Sequence, residues 1–174
     1  SDVPIEVMGE LRFDQKIPIQ QIVNADKFLN KIKLKYSGRL CFCFGSTGPG
    51  EDSVLIELMK KLTEKAERLQ LPRPFYIYVP RQTKDFVNIQ RLLAKSGLSF
   101  VKRTVVLNKE LILKNGLELD FFGIDGLLGD SLGEINFYFQ IADHIFIGNS
   151  LNNLGSHNVI EPLALKKSVV VGPS

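Results

Sequence analysis

Between Arg39 and Val171 the chain alternates short, apolar, strand-type runs with segments of helical periodicity, and this alternation constrains the fold more than any other feature. A run that is apolar at nearly every position is buried on both faces as a strand, and such strands belong to parallel sheets flanked by helices. Arg39 to Phe44 is one such run. It ends in Gly45-Ser46-Thr47-Gly48-Pro49-Gly50, and from Glu51 the spacing of Leu55, Leu58, Met59 and Leu62 predicts a long helix. Phe75 to Val79 is the next strand, stopped at Pro80; Phe86, Ile89, Leu92 and Leu93 then mark one face of a helix that Gly97 ends. Phe121 to Asp125 with a helix over Leu132 to Ala142 repeats the unit. So does His144 to Ile147 with a helix over His157 to Leu165, and Ser168 to Val171 is a last strand. The expected fold is α/β, a Rossmann-like parallel sheet with helices on both faces, forming a single domain over residues 1–174.

The flanking segments are less regular. Ile5 to Met8 reads as an opening strand, Ala25 to Lys33 as a helix with Asn24 as its cap, and Phe100 to Leu119 as an irregular stretch holding a hairpin around Asn115-Gly116. A strand as the final element leaves its crossover unfinished, so the expectation is of a longer natural chain with further helices after Ser174.

Charge excludes one class of partner. Lys and Arg number 22 against 19 Asp and Glu, a formal charge of +3, and segments such as Glu64-Lys65-Ala66-Glu67-Arg68 mix the signs. No basic stripe interleaved with aromatics is present, so nucleic acid is not an expected partner. Cys41 and Cys43 stand at i and i+2 of one strand, on the same face, and read as core thiols of a reducing compartment rather than a disulfide or metal pair. No run approaches the roughly 18 apolar residues of a membrane span, and Ser1 to Glu6 lacks the basic and apolar regions of a signal peptide, so this piece is expected to be soluble.

In an open parallel sheet, ligands bind outside the carboxyl ends of the strands, where the loops opening at Gly45, Pro80, Gly126 and Gly148 gather. Gly45-Ser46-Thr47 leads into a helix start that can take a phosphate, although it is neither a dinucleotide fingerprint nor a Walker loop, and Gly-rich turns of this kind are more often structural. Arg81 is either a clamp for a carboxylate or phosphate or an ordinary surface arginine. The densest polar cluster runs from Gly148-Asn149-Ser150 to Gly155-Ser156-His157-Asn158, with Glu161 one turn beyond His157 and on the same expected helix face. Glu161 can accept two hydrogen bonds from vicinal ribose hydroxyls, or simply favour a helix start. His157 lacks an obvious nucleophile or carboxylate partner in sequence, which favours a positioning role over general-base catalysis.

Three linked motifs carry a family resemblance: Gly129-Asp130-Ser131-Leu132-Gly133-Glu134, then Ala142-Asp143-His144-Ile145-Phe146-Ile147-Gly148-Asn149-Ser150-Leu151, then Gly155-Ser156-His157-Asn158-Val159-Ile160-Glu161-Pro162. In these and in Val7-Met8-Gly9-Glu10-Leu11-Arg12-Phe13-Asp14 and Gly45-Ser46-Thr47, the chain resembles the 3-deoxy-D-manno-octulosonic acid (Kdo) transferases over nearly its whole length.

The resemblance implies the carboxy-terminal, donor-binding half of a two-Rossmann-domain (GT-B) inverting glycosyltransferase of lipopolysaccharide biosynthesis. Such an enzyme takes Kdo from CMP-Kdo and places it on lipid A precursor at the cytoplasmic face of the bacterial inner membrane. It further implies that Ser46 and Thr47 form the first loop, that Pro80 and Arg81 border the cytidine nucleotide, and that Gly133 and Glu134 present groups to it. Asn158 and Glu161 would hold phosphate and ribose, and Ser150 would face the transferred sugar with His157 as a further polar contact. The catalytic base would be a glutamate of the missing amino-terminal domain, so no catalytic residue, metal or cofactor is expected here and the isolated chain is expected to be inactive.

Some positions depart from the family. Gly48-Pro49-Gly50-Glu51-Asp52 stands where the family reads His-Glu-Gly-Glu-Glu, and Pro80-Arg81-Gln82-Thr83-Lys84-Asp85 where it reads Pro-Arg-His-Pro-Glu-Arg. Asn149 and Ser156 replace customary glycines. These changes keep open two alternatives: a non-catalytic or divergent nucleotide-sugar-binding domain, and a UDP-sugar transferase or epimerase of the same architecture.

Overall fold

The computed structural model describes residues 16–116, 120–152 and 155–173. Six strands, β1 (Cys41–Thr47), β2 (Phe75–Pro80), β3 (Phe100–Lys102), β4 (Gly126–Leu128), β5 (His144–Ile147) and β6 (Ser168–Val170), form one sheet in the order β3-β4-β2-β1-β5-β6. Every pairing is parallel, as the apolar runs predict. The helices are α1 (Ile19–Lys31), α2 (Asp52–Arg68), α3 (Phe86–Lys95), α4 (Arg103–Val106), α5 (Ile135–Ile141) and α6 (Ile160–Ala164). None of the described helices is long and apolar enough to cross a membrane.

Alternation along the strands divides the core into two layers. Cys41, Cys43, Phe75, Ile77, Leu127, Ile145 and Ile147 point to one face, where Phe28 of α1 and Phe137 of α5 cover them. Phe44, Tyr76, Tyr78 and Leu128 point to the other, under Leu55 and Met59 of α2 and Ile89 and Leu93 of α3. Both cysteines are buried and free, and burial pushes both thiols up.

Several expected elements shift. The first helix begins six residues earlier than Asn24 predicts: Pro18 precedes it, and Asn24 lies within it, buried, its Nδ2 donating to the carbonyl of Glu110 at 2.6 Å. Asn24 is therefore a tertiary anchor rather than a cap. Phe121 to Asp125 is not a strand. Asp120 accepts from the backbone nitrogen of Phe122 at 2.9 Å, and Arg39 donates to the carbonyls of Phe121 and Ile124 at 2.8 Å each, so this backbone is satisfied without a ladder. The strand starts instead at Gly126, where a Cβ would stand 2.4 Å from the carbonyl oxygen of Tyr76.

The stretch read as irregular holds β3, α4 and an isolated antiparallel bridge between Leu107 and Leu113, while the hairpin expected around Asn115-Gly116 runs into residues 117–119, which lie outside the described residues. The helices expected over Leu132 to Ala142 and His157 to Leu165 shorten to α5 and α6. The opening strand expected over Ile5 to Met8 lies outside the described residues.

Candidate functional site

The sheet order makes β1 the strand at which the chain reverses direction: β2 lies on one side of it and β5 on the other. Loops leaving neighbouring strands in opposite directions open a crevice at the carboxyl edge. Here it is lined by Ser46 near the end of β1, Pro80 at the end of β2 and Arg81 just after it, Ser131 to Glu134 between β4 and α5 with Ile135 opening α5, and His157 and Asn158 between β5 and α6 with Glu161 in α6. Eight of the ten residues singled out from sequence thus line one crevice: Ser46, Pro80, Arg81, Gly133, Glu134, His157, Asn158 and Glu161.

Arg81 is the cation of this crevice. Its own backbone nitrogen donates to the carbonyl of Thr47 at 3.1 Å, which ties the β2 exit to β1. Partial burial pulls His157 below its ordinary pKa, and the nearby Arg81 charge adds to that effect. Burial pushes the Glu161 carboxyl up, while Arg81 opposes the shift. One arginine whose charge is felt by both a base and an acid lining the same crevice suits an anion carrying a hydroxylated sugar. His157 precedes α6 instead of sharing a helix face with Glu161; the loop, not helical periodicity, brings the two together.

Glu134 reaches the crevice with its charge already paired. Arg103 of α4 donates to Oε1, and Oε2 accepts from Ser131 Oγ at 2.5 Å and Tyr138 Oη at 3.2 Å. Beside it, Thr104 donates its backbone nitrogen to Asp130 Oδ1 at 2.9 Å. The Gly129 to Glu134 loop is therefore held from α4 through two carboxylates. The carbonyl of Gly133 accepts from Gln21 Nε2 of α1 at 2.8 Å, so it is spoken for by the protein. Sequence reading missed Arg103; the only signal was a charged residue set between apolar neighbours in Phe100-Val101-Lys102-Arg103-Thr104-Val105-Val106.

Thr47 and Ser150 lie outside the crevice lining and are buried. Ser150 Oγ donates to the carbonyl of Ile147 at 2.7 Å and accepts from the nitrogen of Gly172 at 2.8 Å, so the hydroxyl expected to face the sugar braces the β5 exit against the chain after β6. The phosphate expected against the first loop also meets an obstacle. The buried Glu51 carboxylate accepts from the nitrogens of Gly48 and Asn149 at 2.7 Å each, Ser150 at 2.9 Å and Leu151 at 3.0 Å. Successive amides of this kind form an anion-binding concavity, and here the anion is internal.

Two family departures meet at this point. A Cβ on Gly48 would stand 2.8 Å from Asn149 Oδ1, so a side chain at position 48 would make the Asn149 amide turn aside. Asn149 adopts φ 65°, a conformation asparagine tolerates. Among the described residues, no group of three or more His, Cys, Asp or Glu is placed to hold a metal ion.

No protein-family model matches the chain. It is 33% identical over 96% of its length to a 3-deoxy-D-manno-octulosonic acid transferase of Bordetella pertussis and 30% identical over 97% to one of Haemophilus influenzae, and it spans 35% of each of these relatives. It is 27% identical to a bifunctional glycosyltransferase/methyltransferase of Fusobacterium nucleatum over 97% of its length, or 23% of that protein. Its fold matches the crystal structure of the C-terminal CMP-Kdo binding domain of WaaA from Acinetobacter baumannii with a TM-score of 0.72 at 23% identity, covering 89% of this chain and 72% of that one.

Proposed function

The chain is a homologue of the 3-deoxy-D-manno-octulosonic acid transferases, which are glycosyltransferases, and from that premise we propose that it is the donor-binding half of an inverting GT-B enzyme. Its donor is CMP-Kdo and its acceptor a lipid A precursor, met at the cytoplasmic face of the inner membrane by a protein whose amino-terminal domain supplies the catalytic base. The observation that carries this reading is the convergence of Arg81, Glu134, His157 and Glu161, from three different segments of the chain, on one crevice.

The chemistry asked of these residues is electrostatic. The acceptor hydroxyl oxygen forms a bond to the anomeric carbon of Kdo, the bond from that carbon to the phosphate oxygen breaks, and CMP departs with the electron pair. The hydroxyl proton goes to the base on the other domain. Arg81 stabilises the charge that grows on the departing phosphate. Glu161 accepts from the ribose hydroxyls, while Asn158 and neutral His157 orient the phosphate and sugar by hydrogen bonds. A crevice of about 210 Å³ is smaller than an enclosed small-molecule site, which supports a shared site in which the second domain covers the sugar and the isolated chain does not turn over.

Calorimetric titration of the chain with CMP, CDP, UMP and UDP tests the proposal. Binding of CMP in preference to the uridine nucleotides, lost in Glu161→Ala while the fold survives, is the expected result. Indifference to every cytidine ligand would sink it.

A further inference from the structure

We propose that Glu51 is a positioning residue of the donor site, an internal carboxylate that takes the place of an anion between two loops and sets the one carrying His157 and Asn158; this deepens, and rests on, the donor-site reading above. Glu51 directly precedes α2, and the ordinary explanation is a helix-start preference. The structure departs from that explanation: the side chain makes no capping bond to α2 and turns instead to one amide of its own loop and three of the β5–α6 loop.

The consequence passes along the chain. Glu51 fixes the nitrogen of Asn149, whose φ of 65° turns the backbone, and Asn149 Nδ2 donates to the carbonyl of Gly155 at 2.9 Å. The nitrogen of His157 then donates to the carbonyl of Gly148 at 3.2 Å, closing the loop at its base. His157 and Asn158 leave this closed loop directly into the crevice. Glu51 is only 1% exposed and stands outside the crevice lining, so it acts through the loop and not on the ligand.

Four amides aimed at one site need an acceptor with two ionised oxygens. A glutamine offers a single acceptor oxygen and sets its own N–H groups against backbone N–H groups, whereas an empty site can be refilled by a small carboxylate.

The test compares the chain with Glu51→Gln and Glu51→Ala by hydrogen exchange and by CMP calorimetry, with and without added formate. We expect exchange at Asn149, Ser150 and Leu151 to accelerate and the CMP dissociation constant to rise at least about tenfold in both variants. Formate should restore affinity to Glu51→Ala and leave the wild type unchanged.

CMP affinity in Glu51→Gln within about twofold of the wild type would overturn the proposal even if exchange accelerates, because the loop would then be stabilised without being positioned for donor. Should Glu51→Ala not fold, Glu51→Gln decides alone. If the wild type itself binds no CMP, the donor reading falls; the His157 ring resonances in Glu51→Gln then judge the positioning claim, which a stationary spectrum would refute.

Discussion

Arg103 and Glu134 form a buried ion pair that ties α4 to the β4–α5 loop, with the arginine 5% exposed and the carboxylate edge reaching the crevice. Removing one partner of such a pair leaves a charge without compensation in a poorly solvated place. Arg103→Met should therefore destabilise the protein by about 3 kcal/mol, the low end for buried pairs because Glu134 keeps some solvent contact. Urea unfolding measures this, and pairing it with Glu134→Gln should return part of the loss.

Arg81 is exposed and supplies the positive charge of the crevice. Its removal should leave unfolding unchanged while weakening CMP by about 10- to 100-fold, the range for one hydrogen bond to a charged group. Calorimetry at two ionic strengths adds a check, since the wild-type affinity should fall with salt more steeply than that of Arg81→Ala.

Two groups beside Arg81 give opposite pH signatures. Glu161 has its folded pKa raised above the ordinary 4.5, so it takes up a proton before an exposed glutamate does. Only the ionised form accepts two ribose hydrogen bonds, so CMP affinity should decline while the pH is still above 4.5, and Glu161→Gln should flatten that profile at a lower affinity.

His157 is the reverse case, with its folded pKa below the ordinary 6.5. The unfolded chain therefore binds the proton first, and stability falls as the pH drops below 6.5 toward the folded value. His157→Gln should remove that part of the slope in a series of denaturation midpoints across the range.

Gly148, just after β5, packs against the end of β1: a Cβ would stand 2.5 Å from both the carbonyl oxygen of Ser46 and the Cα of Thr47. Neither contact can yield without moving backbone, so Gly148→Ala should cost about 3 kcal/mol or more by overpacking and should weaken CMP. Gly50→Ala is the control: φ is 87° there and nothing lies within 4 Å, so only the roughly 1–2 kcal/mol of left-handed backbone strain is expected.

What the sequence determined by itself is the layered architecture and most of the membership of the crevice. Both are written locally. Apolar runs at Cys41 to Phe44 and Phe75 to Val79 can only be buried on two faces, and parallel strands deliver their following loops to one edge, so Arg81, His157 and Glu161 were placed together by topology alone. Tertiary structure decided which polar groups remain for a ligand. Glu51, Ser150 and Asn24 are held by partners 22 to 99 residues away, and Arg103 is paired with Glu134, 31 residues along the chain. No spacing along the chain encodes that choice, because a hydrogen bond between distant segments depends on where the packed elements bring its two ends.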